Sequence, residues 1–136
     1  MKKRVILAIV AVFVLWSILD FIIHGVLLKS TYEATASLWR PQEEMKMLLM
    51  QVVVFAHAIC FVAIYGFLVA DKSFKKGIKF GALVGLAAGI TMGFGMYCYM
   101  PIPVTLAWGW FLATLVEATA AGAVVGLIMV PRRVND

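Results

Sequence analysis

Asp20 and His24 stand one helical turn apart, with Ser17 three residues before Asp20. On a helix these three side chains share a face. They lie inside an apolar run from Val5 to Leu28, long enough to cross a bilayer once. An ionisable group at the centre of such a span costs about 3 kcal/mol on insertion scales, so it is expected to face a partner or a wet cavity. Other apolar runs supply possible partners: Gln51 and His57 in the second, Thr91 in the third and Glu117 in the fourth. At about 1.5 Å per helical residue, Asp20 lies roughly 12 Å below Leu28 and His57 roughly 15 Å below Met47. Glu117 lies roughly 13 Å below Trp108, and Thr91 at a similar depth below Met100. The arithmetic predicts one polar layer of Asp20, His57, Glu117 and Thr91, approached through His24, Gln51 and Ser17. Two carboxylates and an imidazole there suit a proton relay, a cation site or a small-ligand pocket. The same groups could also serve only as an interhelical hydrogen-bond network that specifies packing.

The elements that must position these groups follow from composition. The chain has 136 residues, is 64% hydrophobic and 14% charged, and has a mean hydropathy of +1.00. Soluble domains carry about 25% charged residues. A chain this apolar cannot cover a water-facing surface, so an all-α polytopic membrane protein is expected, with residues 1–136 forming a single four-helix bundle. The predicted spans are about 5–28, 45–70, 80–100 and 108–130. The first run is too long for a signal-peptide core, which is about 7–15 residues, and reads as a retained span that follows Met1-Lys2-Lys3-Arg4. Between the first two spans, Ser30 and Glu33 have capping-box spacing, which predicts a short interfacial helix through about Trp39. Pro41 then suits the start of the next helix, with Glu43 and Glu44 in its first turn. Pro101-Ile102-Pro103 breaks the third span from the fourth, and Pro131-Arg132-Arg133 stops the fourth.

Charge sets the expected orientation. Of the 12 Lys and Arg residues, Lys29, Arg40 and Lys46 fall on one side, beside Glu33, Glu43 and Glu44. All the others fall on the opposite side, so the positive-inside rule places both termini in the cytoplasm. The formal net charge of +5 is therefore a topology signal, and no nucleic-acid partner is expected. The uncharged connection from Tyr97 to Ala107, rimmed by Tyr99, Trp108 and Trp110, suits either an interfacial aromatic belt or a partner surface.

Two further patterns are structural or chemical. Gly77, Gly81, Gly85, Gly89 and Gly93 recur every four residues, answered in the fourth span by Ala118, Gly122 and Gly126. Small residues at this spacing let two helix backbones approach closely. Met50, Met92, Met96 and Met100 cluster in the outer halves of their spans, and with His57 could supply soft ligands for Cu(I); adaptable apolar packing is the plainer role. Cys60 and Cys98 lie in different runs near opposite ends and are expected as unpaired core filler. No CxxC, HExxH, Walker, Rossmann or nucleophile-elbow motif is present, so no enzymatic activity is expected.

The pattern Trp16-x3-Asp20-x3-His24, Leu38-Trp39-Arg40-Pro41, the glycine ladder, Tyr97 and Pro101-Ile102-Pro103 resembles a family of small four-helix bacterial inner-membrane proteins without an assigned activity. That resemblance implies fold and location only. In size and in its first-span carboxylate the chain is also similar to the small multidrug-resistance transporters, which carry a Glu where this chain has Asp20 and lack its long outer loop and fourth-span Glu. The lipid bilayer is the expected environment. A homo-oligomer or a larger membrane complex is also expected, and the alternative to transport or ligand binding is a non-catalytic accessory subunit of a larger membrane complex.

Overall fold

The computed structural model describes residues 2–130, and the Pro131-Arg132-Arg133 stop lies outside them. Among these residues the chain is all-helical, and four helices are long and apolar enough to span a membrane: Lys2–Leu27, Met47–Leu68, Phe74–Gly95 and Val104–Ile128. We label the helices α1 (Lys2–Ile22, continued by a π-helical turn at Ile23–Leu27), α2 (Lys29–Ala34), α3 (Met47–Leu68), α4 (Phe74–Ile90, continued by a π-helical turn at Thr91–Gly95) and α5 (Val104–Ile128).

Several boundaries differ from those predicted. Ser30 does not cap α2: Leu28 occupies the N-cap with no side-chain bond, because the chain leaves α1 already helical, and Tyr32 N donates to Leu28 O at 3.0 Å. α2 ends at Ala34, and a 3-10 turn at Ala36–Leu38 completes the segment. Pro41 opens only the short 3-10 turn Gln42–Glu44, with α3 starting at Met47. α4 starts six residues earlier than the hydropathy run, at Phe74, because the Ser73 side chain caps it by accepting from Lys76 N at 3.3 Å. Pro103 stands at the N-cap of α5, so that helix starts at Val104. Cys60 and Cys98 are free and exposed, which removes them from the core.

The closest packing in the bundle joins α4 to α5. Gly77, Gly81, Gly85, Gly89 and Gly93 are all buried along one stripe of α4. A Cβ at Gly81 would strike the backbone of Ala118 and Gly122, and one at Gly89 would come 2.9 Å from the Phe111 carbonyl oxygen. The opposite stripe of α5 obeys the same restriction, since a Cβ at Gly126 would come 2.9 Å from Ser73 O. The main core gathers Ala8, Val12 and Trp16 of α1, Ala58, Phe61, Val62 and Tyr65 of α3, and Ala118, Ala121 and Val125 of α5. A smaller cluster of Ile102, Leu106 and Ala107 sits at the other end, covered by Leu28, Tyr32, Leu38, Trp39 and Trp110. At the basic end, Arg4 donates to the Val130 carbonyl, and Tyr65 OH donates to Ser73 O at 3.2 Å, tying α3 to the start of α4.

Leucine at Gly81 has no room, and accommodating it would part α4 from α5. Overpacking costs about 1–3 kcal/mol even where a core can shift, and here the obstacle is backbone. We predict that Gly81→Leu lowers the thermal midpoint in detergent sharply or prevents assembly. Gly95→Ala, whose new Cβ meets nothing nearer than 3.6 Å, should leave the midpoint within error.

Candidate functional site

Asp20 and His24 occupy the face of α1 that looks toward α5, and Glu117 reaches back from α5. One ligand atom from each of the three lies within 4.8 Å of the other two. His24 Nε2 is 4.0 Å from Asp20 Oδ1, beyond hydrogen-bond length but close enough for an ion pair. Glu117 Oε1 is buried and has no hydrogen-bond partner. A cavity of about 140 Å³ adjoins the carboxylates, lined by Trp16, Asp20, Val54, His57, Thr114, Glu117 and Ala118.

Trp16 holds the floor of this site. It is 95% buried, its Nε1 donates to the Glu117 carbonyl at 3.0 Å, and its indole stacks on His57 with centroids 4.7 Å apart. One side chain therefore fixes α1 against α5 and places the α3 imidazole at the cavity wall. Thr114 belongs to the same α5 stripe; its hydroxyl is already used, donating to Trp110 O at 2.9 Å, so it presents mainly its methyl group to the cavity.

His24 is held from the other side. Trp110 Nε1 donates to the Tyr32 phenol oxygen at 2.7 Å, and that oxygen lies 2.7 Å from His24 Nδ1. An indole N–H can only donate, so Tyr32 accepts from Trp110, while the direction of its contact with His24 Nδ1 follows the His24 tautomer. Burial pushes the Tyr32 phenol up, with the nearby Asp20 charge adding to the rise and the Trp110 hydrogen bond opposing it. The phenol therefore stays protonated and able to donate. Where Nδ1 accepts, a neutral His24 carries its proton on Nε2, the nitrogen that faces Asp20. Trp39 meets Tyr32 edge-on at 5.6 Å and Trp110 at 6.0 Å, and donates to Thr35 Oγ1 at 2.9 Å. These rings close the site at the α2 end.

The backbone makes this contact possible. Eight residues along an unbroken helix span about 12 Å, too far for His24 and Tyr32 to meet comfortably. The π-helical turn, with Leu28 N donating to Ile23 O at 2.8 Å, and the departure from helical geometry at Leu28 (φ −95°, ψ 1°) bring α2 back over the end of α1.

The structure thus gathers Asp20, Glu117 and His57 around one cavity, with His24 beside them. Thr91 stands apart: it is exposed on α4, and its hydroxyl donates to Ala87 O of its own helix at 3.4 Å. α4 turns its glycine stripe to α5, and Thr91 lies off that stripe. Ser17 donates to Phe13 O at 2.9 Å and approaches Gln51 Oε1 at 3.5 Å, so the two meet at the α1–α3 contact without lining the cavity. The methionines do not assemble a soft-metal site at His57. Met50 and Met92 are exposed, while Met96 and Met100 pack on the Ile102–Leu106–Ala107 cluster, where Tyr99 OH also donates to Met96 Sδ at 2.8 Å. A metal would instead find Asp20, His24 and Glu117, one nitrogen and two oxygen donors of the borderline-to-hard kind. Tyr32, Trp110 and Thr114 are absent from the sequence-derived set. Trp110, Thr114 and Glu117 recur at helical spacing, so the α5 stripe was legible; the contact of Tyr32 with His24 was not. No protein-family model, curated protein or solved structure matches the chain.

The Tyr32 environment is directly measurable. In an alkaline spectrophotometric titration Tyr32 should ionise later than a free phenol, at pH above about 10, and Tyr32→Phe should take one tyrosine out of the late component. Trp110→Phe deletes the hydrogen bond that favours the phenolate, so it should move the late component still higher.

Proposed function

We propose that this chain binds, and passes across the membrane, a proton or small cation at the Asp20–Glu117 pair, with His24 and His57 flanking it. The observation that carries this reading is the meeting of two carboxylates and an imidazole within 4.8 Å, in spans that are otherwise apolar. Two bare negative charges at that distance repel, and in a low-dielectric span the repulsion is poorly screened. The pair is relieved when a positive charge, either a proton or a cation, joins it. Packing alone would not call for two carboxylates, since neutral side chains satisfy interhelical hydrogen bonds without this repulsion.

The proposed setting is a bacterial inner membrane, with both termini cytoplasmic and α2 at the outer interface. The positive-inside distribution and the family resemblance support that placement. Topology reporters fused at Lys75 should read cytoplasm and one at Ser37 the outside; a cytoplasmic signal at Ser37 would invert or end this arrangement.

A second reading, a non-catalytic subunit of a larger complex or a homo-oligomer, has one observation in its favour. α3 packs chiefly on α1 and leaves Gln51 and His57 exposed at membrane depth, where a protein neighbour would suit them better than lipid.

Flux separates the two. Asp20→Asn and Glu117→Gln keep shape and hydrogen bonding and remove the titrating groups. In reconstituted vesicles the double variant should assemble normally and lose proton or cation flux by at least tenfold. Unchanged flux in a well-assembled double variant would sink the carboxylate reading and leave the subunit reading ahead.

A further inference from the structure

We propose that Asp20, His24 and Glu117 form a binding site for a divalent transition-metal ion of the manganese-to-zinc range. This rests on the carboxylate reading above and names the cation that the pair takes.

α1 presents two donors one turn apart, Asp20 and His24, the spacing at which a helix can grip one ion with two side chains. α5 supplies the third, and one ligand atom from each residue lies within 4.8 Å of the others. Around a tetrahedral ion with bonds of about 2.1 Å, ligand atoms stand about 3.4 Å apart, so the set must close by about an ångström. A separate observation points to the same place. Glu117 Oε1 is buried without a hydrogen-bond partner, a condition that a bound cation relieves. The His24 and Asp20 side chains are 38% and 37% exposed, so an ion can reach them without parting the packed core.

The donors define the class of ion. Two carboxylates carry two negative charges, which a divalent ion cancels and a proton or potassium ion cancels only in part. In an apolar span the uncancelled charge is expensive. The imidazole then discriminates among divalent ions. Mg2+ and Ca2+ prefer all-oxygen shells, whereas a nitrogen beside two carboxylate oxygens suits the first-row transition metals.

His24 is also held as a ligand should be. Its Nε2 faces Asp20, 4.0 Å from Oδ1, and its Nδ1 lies 2.7 Å from the Tyr32 phenol oxygen. An imidazole that binds metal through Nε2 carries its proton on Nδ1, and here it can donate that proton to the phenol oxygen. The same oxygen accepts from Trp110 Nε1, and its two lone pairs allow both bonds. Outer partners of this kind orient metal-ligating histidines. His57 stands outside the set, with its ring against Trp16.

The test uses full-length protein in detergent, with zinc chloride alone as the probe and 15N-histidine labelling to identify the ligand. His24 and His57 are the chain's 2 histidines, and His24→Gln assigns the signals. Calorimetric titration should show one Zn2+ per chain, competed by Co2+ and not by Mg2+, Ca2+ or K+ at the same concentrations. On loading, the Nε2 resonance of His24 should move and its Nδ1 should carry the proton, with His57 unchanged. His24→Gln should weaken binding about a hundredfold or more, at least the scale of losing an outer partner. Tyr32→Phe should weaken it about 10- to 100-fold and leave His24 as the ligand. Asp20→Asn takes the place of His24→Gln in the affinity comparison if the latter fails to assemble.

Zn2+ binding that survives His24→Gln, or that moves His57 instead, overturns the site, and equal affinity for Mg2+ or Ca2+ overturns the class of ion. A protein that binds no Zn2+ but loses proton or potassium flux in the Asp20→Asn, Glu117→Gln variant overturns the metal site and leaves the carboxylate reading standing. Zn2+ held at His24 by a protein whose double variant keeps full proton, potassium and zinc flux overturns the carboxylate pathway and leaves a resident metal.

Discussion

Placing Asp20 and Glu117 in the middle of apolar spans carries a free-energy cost that lipid contact cannot offset, and much of the arrangement of α1 against α5 answers that cost. Each carboxylate is brought to the other, to His24 and to a cavity. Trp16 makes the arrangement specific. Its indole donates to the carbonyl of Glu117 itself, so the two helices are locked at the very turn where the acid projects. The same ring carries His57 on its face and meets Phe61 edge-on at 5.3 Å, which fixes the position of α3 as well. One large buried side chain thus sets three helices around the ionisable groups.

The α4–α5 pair solves a different problem. Apolar helices in lipid gain little from hiding apolar surface from one another, so close association depends on dispersion contacts between well-matched surfaces. A stripe of glycines on α4 lets backbone meet backbone along nearly the whole length of α5. That contact leaves the other faces of α5 free to present Trp110, Thr114 and Glu117 toward α1. The rigid pair acts as a fixed wall, and the polar site is built on it.

Irregular turns then adapt regular helices to the site. The π-helical turn at Ile23–Leu27 begins three residues after Asp20 and contains His24 and Gly25. It shifts the helical register, so that α2 can fold Tyr32 back onto His24, and such turns are often found where a helix carries function. A second π-helical turn, Thr91–Gly95, lies at the corresponding end of α4 and keeps Gly93 against Ala107 and Phe111. At the basic end the turn between α3 and α4 is tightened by Asp71, whose φ of 42° is left-handed and which pairs with Lys76 at 3.5 Å. Asp tolerates that conformation better than most residues.

Hydropathy by itself determined the class of the protein. Four long apolar runs admit few structures other than spanning helices, because every backbone group in hydrocarbon must bond within its own helix. The small-residue stripe on α4 was equally legible, since period-four glycines have one shared face. Counting along the runs likewise groups Asp20, His57 and Glu117, which line one cavity. Counting gives no direction around the helix, so it groups Thr91 with the layer although its helix turns it outward. Helix ends were also beyond the hydropathy signal: Ser73 and Pro103 start α4 and α5 by local bonding and backbone constraint, at residues that apolarity alone does not mark. Only the tertiary structure decided that Tyr32 belongs to the site. Its contact with His24 depends on a π-helical turn and a bend at Leu28, which leave no periodic trace, and on Trp110 arriving from a helix 78 residues away. Propensity and periodicity are local quantities. The contact of Tyr32 with His24 joins segments that meet only when the bundle closes.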